Sequence, residues 1–413
     1  MPRRLAVPEF VVMLAMLFAC VAFSIDAMLP ALPQIAEDLT PDAPNKAQLV
    51  LTAFVFGMGI GTLFSGPLSD TFGRKTVITF GIGVFIAGAI GSWQAENLET
   101  MLAFRALQGL GASAPRIVAL AMVRDLYEGR RMAQITSFMM MIFILIPAMA
   151  PSAGELVMNA FGWRSIFLAF ALFGLLGCTW LNIRQDETLP LDRRRSLRLG
   201  GLWTAVKEVL TNKLVLIYIA VLTLGFGQMF AFLSSIQQIY AEIFGITDSF
   251  PQWFLVQGLI AGTGTIINAT LVMRLGMRRL AIAAYGAQTA ISTLLVLLEL
   301  SGLLPEALFF PAFFFWATSV FFMAGLTFGN LNALALEPMG HIAGLASSVV
   351  GCVSTIGAVI LAAPIGLAFN GTIVPLSVGV LICSALALVL MMKSRKLDPV
   401  SKRQVSGHAS TQH

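Results

Sequence analysis

Charge is what this sequence has least of. Asp, Glu, Lys and Arg supply 11% of its 413 residues, while 57% are apolar. A soluble domain carries about 25% charged residues, so the shortage excludes a solvated surface and with it an ordinary soluble enzyme. Disorder is excluded too, because disordered chains are poor in apolar residues and rich in charge. Histidine is nearly missing: His341 falls in a loop, and His408 and His413 in the tail. No His-based metal centre can therefore lie within the apolar runs, and no metal site is expected. The four cysteines, Cys20, Cys178, Cys352 and Cys383, stand singly inside those runs without C-x-x-C spacing, which reads as small core fillers. No G-x-x-x-x-G-K-[ST] loop occurs, so ATP is not expected to bind, and no other cofactor is implied. No cleavable signal is evident, because the first apolar run continues at full spanning length without a small-residue cleavage site.

What the chain does have is long apolar runs. A spanning helix needs about 20 mainly apolar residues. Twelve such runs occur, at 9–32, 47–66, 76–93, 98–123, 132–158, 163–183, 213–240, 251–273, 280–302, 307–335, 342–368 and 372–392. The ten-residue alternation of a membrane barrel is not visible. The 37 glycines and 18 prolines suit transmembrane helices, which tolerate both. All but four of the 26 basic residues fall in segments that share one side if the N-terminus is inside. The exceptions are Lys46 and Arg164 in outer loops and Arg105 and Arg116 within the fourth span. The positive-inside rule thus places both termini in the cytoplasm. The net charge of +5 sits in short loops facing the bilayer surface, so nucleic acid is not an expected partner.

The longest inner connection divides the runs into two sets of six. The expected organisation is a bundle over 1–183, a cytoplasmic linker over 184–212, a second bundle over 213–392 and a polar tail over 393–413. The linker carries Arg193, Arg194, Arg195 and Arg198, read as a solvated segment near anionic headgroups. The halves show a weak internal match. Gly73 and Gly276 are offset by 203, and Asp26 and Gln228 by 202. Parallel six-helix repeats with a substrate site between them are a transporter architecture.

The most specific segment is Gly66-Pro67-Leu68-Ser69-Asp70-Thr71-Phe72-Gly73-Arg74-Lys75, between spans 2 and 3. It resembles the signature loop of the major facilitator superfamily, G-x-L-S-D-x-x-G-R-[KR]. The resemblance implies twelve helices in two six-helix bundles. It also implies an inner gate latch in which Asp70, Gly73, Arg74 and Arg124 work with the start of span 11; the alternative is a basic loop that only fixes topology. The second-half loop Met273-Arg274-Leu275-Gly276-Met277-Arg278-Arg279 lacks the acid, so a second latch looks degenerate.

Further segments resemble the bicyclomycin- and phenicol-resistance (Bcr/CflA) branch of drug/proton antiporters. They are Ser24-Ile25-Asp26-Ala27-Met28-Leu29-Pro30-Ala31-Leu32-Pro33 in span 1 and Phe104-Arg105-Ala106-Leu107-Gln108-Gly109-Leu110-Gly111-Ala112 in span 4. Gly340-His341-Ile342-Ala343-Gly344-Leu345-Ala346-Ser347-Ser348 precedes and enters span 11. Pro147-Ala148-Met149-Ala150-Pro151-Ser152-Ala153-Gly154-Glu155 resembles the antiporter motif of span 5, so Pro151 and Gly154 are expected in a bendable helix packed on span 8. Glu155 departs from the motif, which has glycine there.

Asp26 is the lone carboxylate deep in a span. Placing an acid there costs about 2.5–3.5 kcal/mol on insertion scales, which argues for a function. Arg105 lies at a similar depth, so the two are expected to meet as a proton-coupling pair; a purely structural pairing is the alternative. Arg105, Gln108, Gly109, Ala112 and Arg116 share one helix face. Arg116 either snorkels or lines the inner cavity. Asp26, Arg105, Gln108, Arg116, Gln228 and Phe232 are the expected substrate-binding residues. Gln237, Gln238, Tyr240, Gln257, Asn268, Asn330 and Asn332 supply further polar groups to the second half, read mainly as helix packing.

The expectation is a monomeric, multi-pass protein of a bacterial inner membrane. It would export small amphiphiles in exchange for protons, neutral or anionic compounds before cations, by alternating access. A proton-coupled metabolite carrier and a non-transporting receptor remain as alternatives. An enzyme is not expected, since the spans offer one deep acid, two arginines and no histidine.

Overall fold

Apolar runs of this length have one stable solution in lipid, because only a helix satisfies every backbone group within its own segment. The computed structural model describes residues 5–194 and 199–397, and among them there is helix, turn and irregular chain but no strand. The first half comprises α1 (Val7–Asp26), α2 (Leu32–Leu39), α3 (Leu49–Phe72), α4 (Arg74–Trp93), α5 (Leu98–Leu126), α6 (Gly129–Phe161) and α7 (Ser165–Arg184). A linker helix, α8 (Leu199–Thr211), leads to α9 (Lys213–Glu242), α10 (Phe250–Leu275), α11 (Met277–Ser301), α12 (Glu306–Leu336), α13 (Ala343–Leu367) and α14 (Val374–Leu397). Ten stretches are long and apolar enough to cross a bilayer, one of them, Glu306–Leu367, holding both α12 and α13. The 33-residue α6 brings the spanning helices to twelve. Arg195 and Arg198 of the linker and the tail beyond 397 lie outside the described residues.

Two segments differ from the sequence reading. The first span does not run unbroken to residue 32: α1 stops at Asp26, a short 3-10 turn covers Leu29–Ala31, and α2 follows. Pro30 and Pro33 explain the break, since each removes a backbone donor and collides with the preceding turn. The linker is not simply solvated. α8 turns Ala205 and Val209 inward against the second half, at 1% and 0% exposure, while Trp203 stays exposed.

The packing repeats after six spans. α1 packs on α5, α6 and α7, and α9 packs on α12, α13 and α14. α3 and α4 both pack on α5, and α4 on α7; likewise α10 and α11 pack on α12, and α11 on α14. The two halves meet through α3 against α13 and α6 against α10, contacts that the same shift exchanges. Gly73 and Gly276 join corresponding helices with the same backbone, at φ 100° and ψ 154° and at φ 78° and ψ 153°. That left-handed region is open to glycine and strained for other residues.

Candidate functional site

A cavity of about 440 Å³ lies between the halves. Its first-half wall includes Val21, Ala22, Ile25 and Asp26 of α1, Met58 of α3, Arg116 of α5, and Pro147 and Ala148 of α6. The second half contributes Phe226, Met229, Phe230 and Leu233 of α9, one face of α10 from Phe254 to Thr265, and Phe321, Phe328 and Asn332 of α12. The wall is mainly aromatic and aliphatic with few polar groups, the usual make-up of a small-molecule site. Asp26 and Arg116 are its charged residues.

Asp26 occupies the last position of α1, just before the proline-induced break, and is 4% exposed. No hydrogen bond or ion pair joins it to another described residue. The expected meeting with Arg105 does not occur. Arg105 is fully buried behind the wall, where Nη2 donates to the Ser24 carbonyl (3.0 Å), Nε to the Val50 carbonyl (3.2 Å) and Nη1 to Gln108 Oε1 (2.7 Å). Its guanidinium also lies over the Phe54 ring, 4.6 Å from the centroid. Carbonyl dipoles and an aromatic face take the place of a carboxylate. Arg105 thereby fastens the last turn of α1, two residues before Asp26, to α3 and α5.

Gln108 belongs to that same network and does not reach the cavity wall. Gln228 and Phe232 are fully buried and also stand outside the wall. Phe232 packs edge-on against Phe321, with centroids 5.2 Å apart, so it backs a wall residue. Arg116 does reach the cavity, and its Nη1 approaches Met58 Sδ at 3.5 Å. A thioether is a weak acceptor, and no carboxylate pairs with this guanidinium among the described residues. In the second half Gln257 and Asn332, read from the sequence mainly as helix packing, line the wall, a placement that spacing alone could not decide.

Gly154 of α6 sits where a Cβ would collide with the Ala27 carbonyl, so α6 approaches the broken end of α1 backbone to backbone. The antiporter-like segment thus serves two contacts. Gly154 meets α1, while Pro147 and Ala148 face the cavity, with Ala148 beside Gly258 of α10. Pro151 is buried between them in sequence, within a helix that stays continuous.

At the cytoplasmic end Asp70 pairs with Arg74. Arg74 Nε also bonds Asp125 Oδ2 at 2.9 Å and Nη1 bonds Ser69 Oγ at 2.7 Å. Among the described residues no hydrogen bond links Asp70 to α13. Arg124 is exposed and outside the cluster, and its neighbour Asp125 takes the role. The linker supplies what sequence reasoning missed. Glu187 accepts from the backbone amides of Arg74 and Lys75 at 2.9 and 3.1 Å, capping the positive end of α4, and Thr188 donates to Asp125 at 3.0 Å. In the second half the acid-free loop uses a phenol instead, with Arg278 Nη2 donating to Tyr218 Oη at 2.8 Å.

The hydrogen bonds found between the halves lie together at the outer end. Gln48 Nε2 donates to Gln238 Oε1 (2.9 Å), Ser235 Oγ to Gln48 Oε1 (3.3 Å), and Gln238 Nε2 to Asn45 Oδ1 (3.0 Å). Asn45 Nδ2 donates to the Leu367 and Phe369 carbonyls at 3.2 and 2.8 Å. This polar clamp ties the two halves together at their outer end.

The family comparison agrees with this geometry. Residues 14–362 match the model of the Major Facilitator Superfamily. The chain is 30% identical over 350 residues to a bicyclomycin resistance protein homolog of Haemophilus influenzae, covering 83% of this chain and 85% of that protein. It is 30% identical over 397 residues to multidrug resistance protein MdtL of Escherichia coli, covering 93% and 95%. Among solved structures, a partially occluded inward-open form of the Escherichia coli xylose transporter XylE superposes with a TM-score of 0.71 at 13% identity, covering 95% of this chain and 99% of that one. The fold, the cavity between its halves and the family match lead to one assignment: the chain belongs to the Major Facilitator Superfamily of multi-pass membrane transporters.

Proposed function

We propose that this transporter is a proton-driven exporter of small amphiphilic compounds in a bacterial inner membrane. The observation that carries the reading is Asp26: a carboxylate on the cavity wall, at a helix break, with no partner among the described residues. Such a group can hold a proton in one state and yield it when substrate enters, because nothing else fixes its charge. Arg105 is then a positioning residue that holds the α1 terminus carrying Asp26. The resistance proteins among the relatives support export as the direction.

Asp26 and Arg116 set the charge balance. With Asp26 protonated the cavity carries the Arg116 charge alone, which repels cations at short range in an apolar site. Neutral and anionic compounds are therefore the favoured substrates. The lipid bilayer and protons are the remaining partners. Substrate binding to the purified protein in weakly buffered detergent should release protons from the wild type and none from Asp26→Asn. Equal proton release by the two proteins would end the assignment.

A further inference from the structure

Gln257 and Thr265 are the polar side chains of the α10 cavity face, and Gln257 is the carboxamide of the two. Gln257 lies in the cavity wall one turn from Phe254, is 1% exposed, and neither Oε1 nor Nε2 has a hydrogen-bond partner among the described residues. On its own helix the wall residues one turn away, Phe254 and Ala261, are apolar, and the rest of the wall is mainly apolar too, with Met229 and Leu233 on α9 and Phe321 and Ala324 on α12. Gln228 is also unpaired but stands outside the wall, so among the described residues Gln257 alone combines an amide with both polar atoms unpartnered and a place on the cavity.

A side-chain carboxamide carries its oxygen and one N–H along a single edge, an acceptor beside a donor. Both are satisfied at once by a ligand edge with a donor beside an acceptor, which is a lactam or a primary carboxamide. A lactone or an ester offers acceptors alone and leaves Gln257 Oε1 without a partner. Apolar surroundings sharpen the difference, because an unmade hydrogen bond costs most where water is excluded. We propose that Gln257 is a specificity-determining residue that selects neutral substrates bearing a cis-amide edge. The proposal rests on reading this cavity as the substrate site.

The test uses three bicyclic probes of one shape: 2-quinolone, which is a lactam, N-methyl-2-quinolone, which lacks the donor, and coumarin, the lactone. Equilibrium binding is measured on the purified full chain. Wild type should bind 2-quinolone about tenfold more tightly than the other two. In Gln257→Leu that preference should vanish while coumarin affinity holds or improves, which also shows that the variant is folded. The N-methyl probe tests the donor in the wild type and needs no variant. Equal binding of all three by wild type, or an undiminished lactam preference in Gln257→Leu, overturns the role of Gln257 and leaves the cavity reading intact. Binding of none of the probes by wild type overturns the cavity reading itself.

Discussion

Two arginines on one helix face have opposite fates. Arg105 is spent on backbone carbonyls and an aromatic ring behind the wall, whereas Arg116, eleven residues further along α5, reaches the cavity with only a thioether beside it. Residue type and helical spacing put both on the lining face; which of them meets carbonyls depends on where α1 ends, and that is a tertiary fact. Arg116 is therefore the residue whose loss should separate substrates by charge. Arg116→Ala should weaken an anionic substrate about tenfold or more and leave a neutral one nearly unchanged, as read by competition binding. Equal loss for both, or robust export of ethidium by the unmodified protein, would contradict the charge assignment. Asp26 was legible in the sequence because a lone acid in an apolar run demands a reason. Glu187 was not, because its partners are the backbone amides of a helix more than a hundred residues away.

At the scale of the element, the twelve spans were readable from apolar length, and the break in α1 follows from prolines in plain view. The helical linker was harder to read: α8 is short, and its order comes from Ala205 and Val209 finding a surface in the second half. The close contact of α6 with α1 was legible only as a glycine in a motif. Its reason is the Ala27 carbonyl, which leaves no room for a Cβ at Gly154. Gly154→Val should push α6 off the α1 terminus, lower the unfolding temperature by the equivalent of about 1–3 kcal/mol, and cut transport at least tenfold. Gly83→Ala is the control, since a Cβ there meets nothing within 4 Å. Normal transport by Gly154→Val would show that the contact is not needed.

For the whole molecule, two halves with matching internal packing meet along α3 with α13 and α6 with α10, and a polar clamp ties them at their outer end. The repeat was only hinted at by two sequence offsets; the exchange of packing relations makes it plain. Gln48 takes part in two of the clamp bonds, each worth about 0.5–1.5 kcal/mol net. Gln48→Ala should shift the population toward an outward-open form, so that a cysteine placed at Leu233 labels several-fold faster with an impermeant reagent added outside. Unchanged labelling would mean that the clamp does not hold the gate. The central claim is that Asp26 couples proton entry to export, and one pH unit across the membrane can drive a tenfold concentration ratio per proton. The direct measurement is uptake of radiolabelled chloramphenicol, a neutral probe, into inside-out vesicles with an acidic lumen. Wild type should accumulate it above the external concentration until a protonophore collapses the gradient, and Asp26→Asn should only equilibrate it. Gradient-driven accumulation by Asp26→Asn at the wild-type rate would contradict the account.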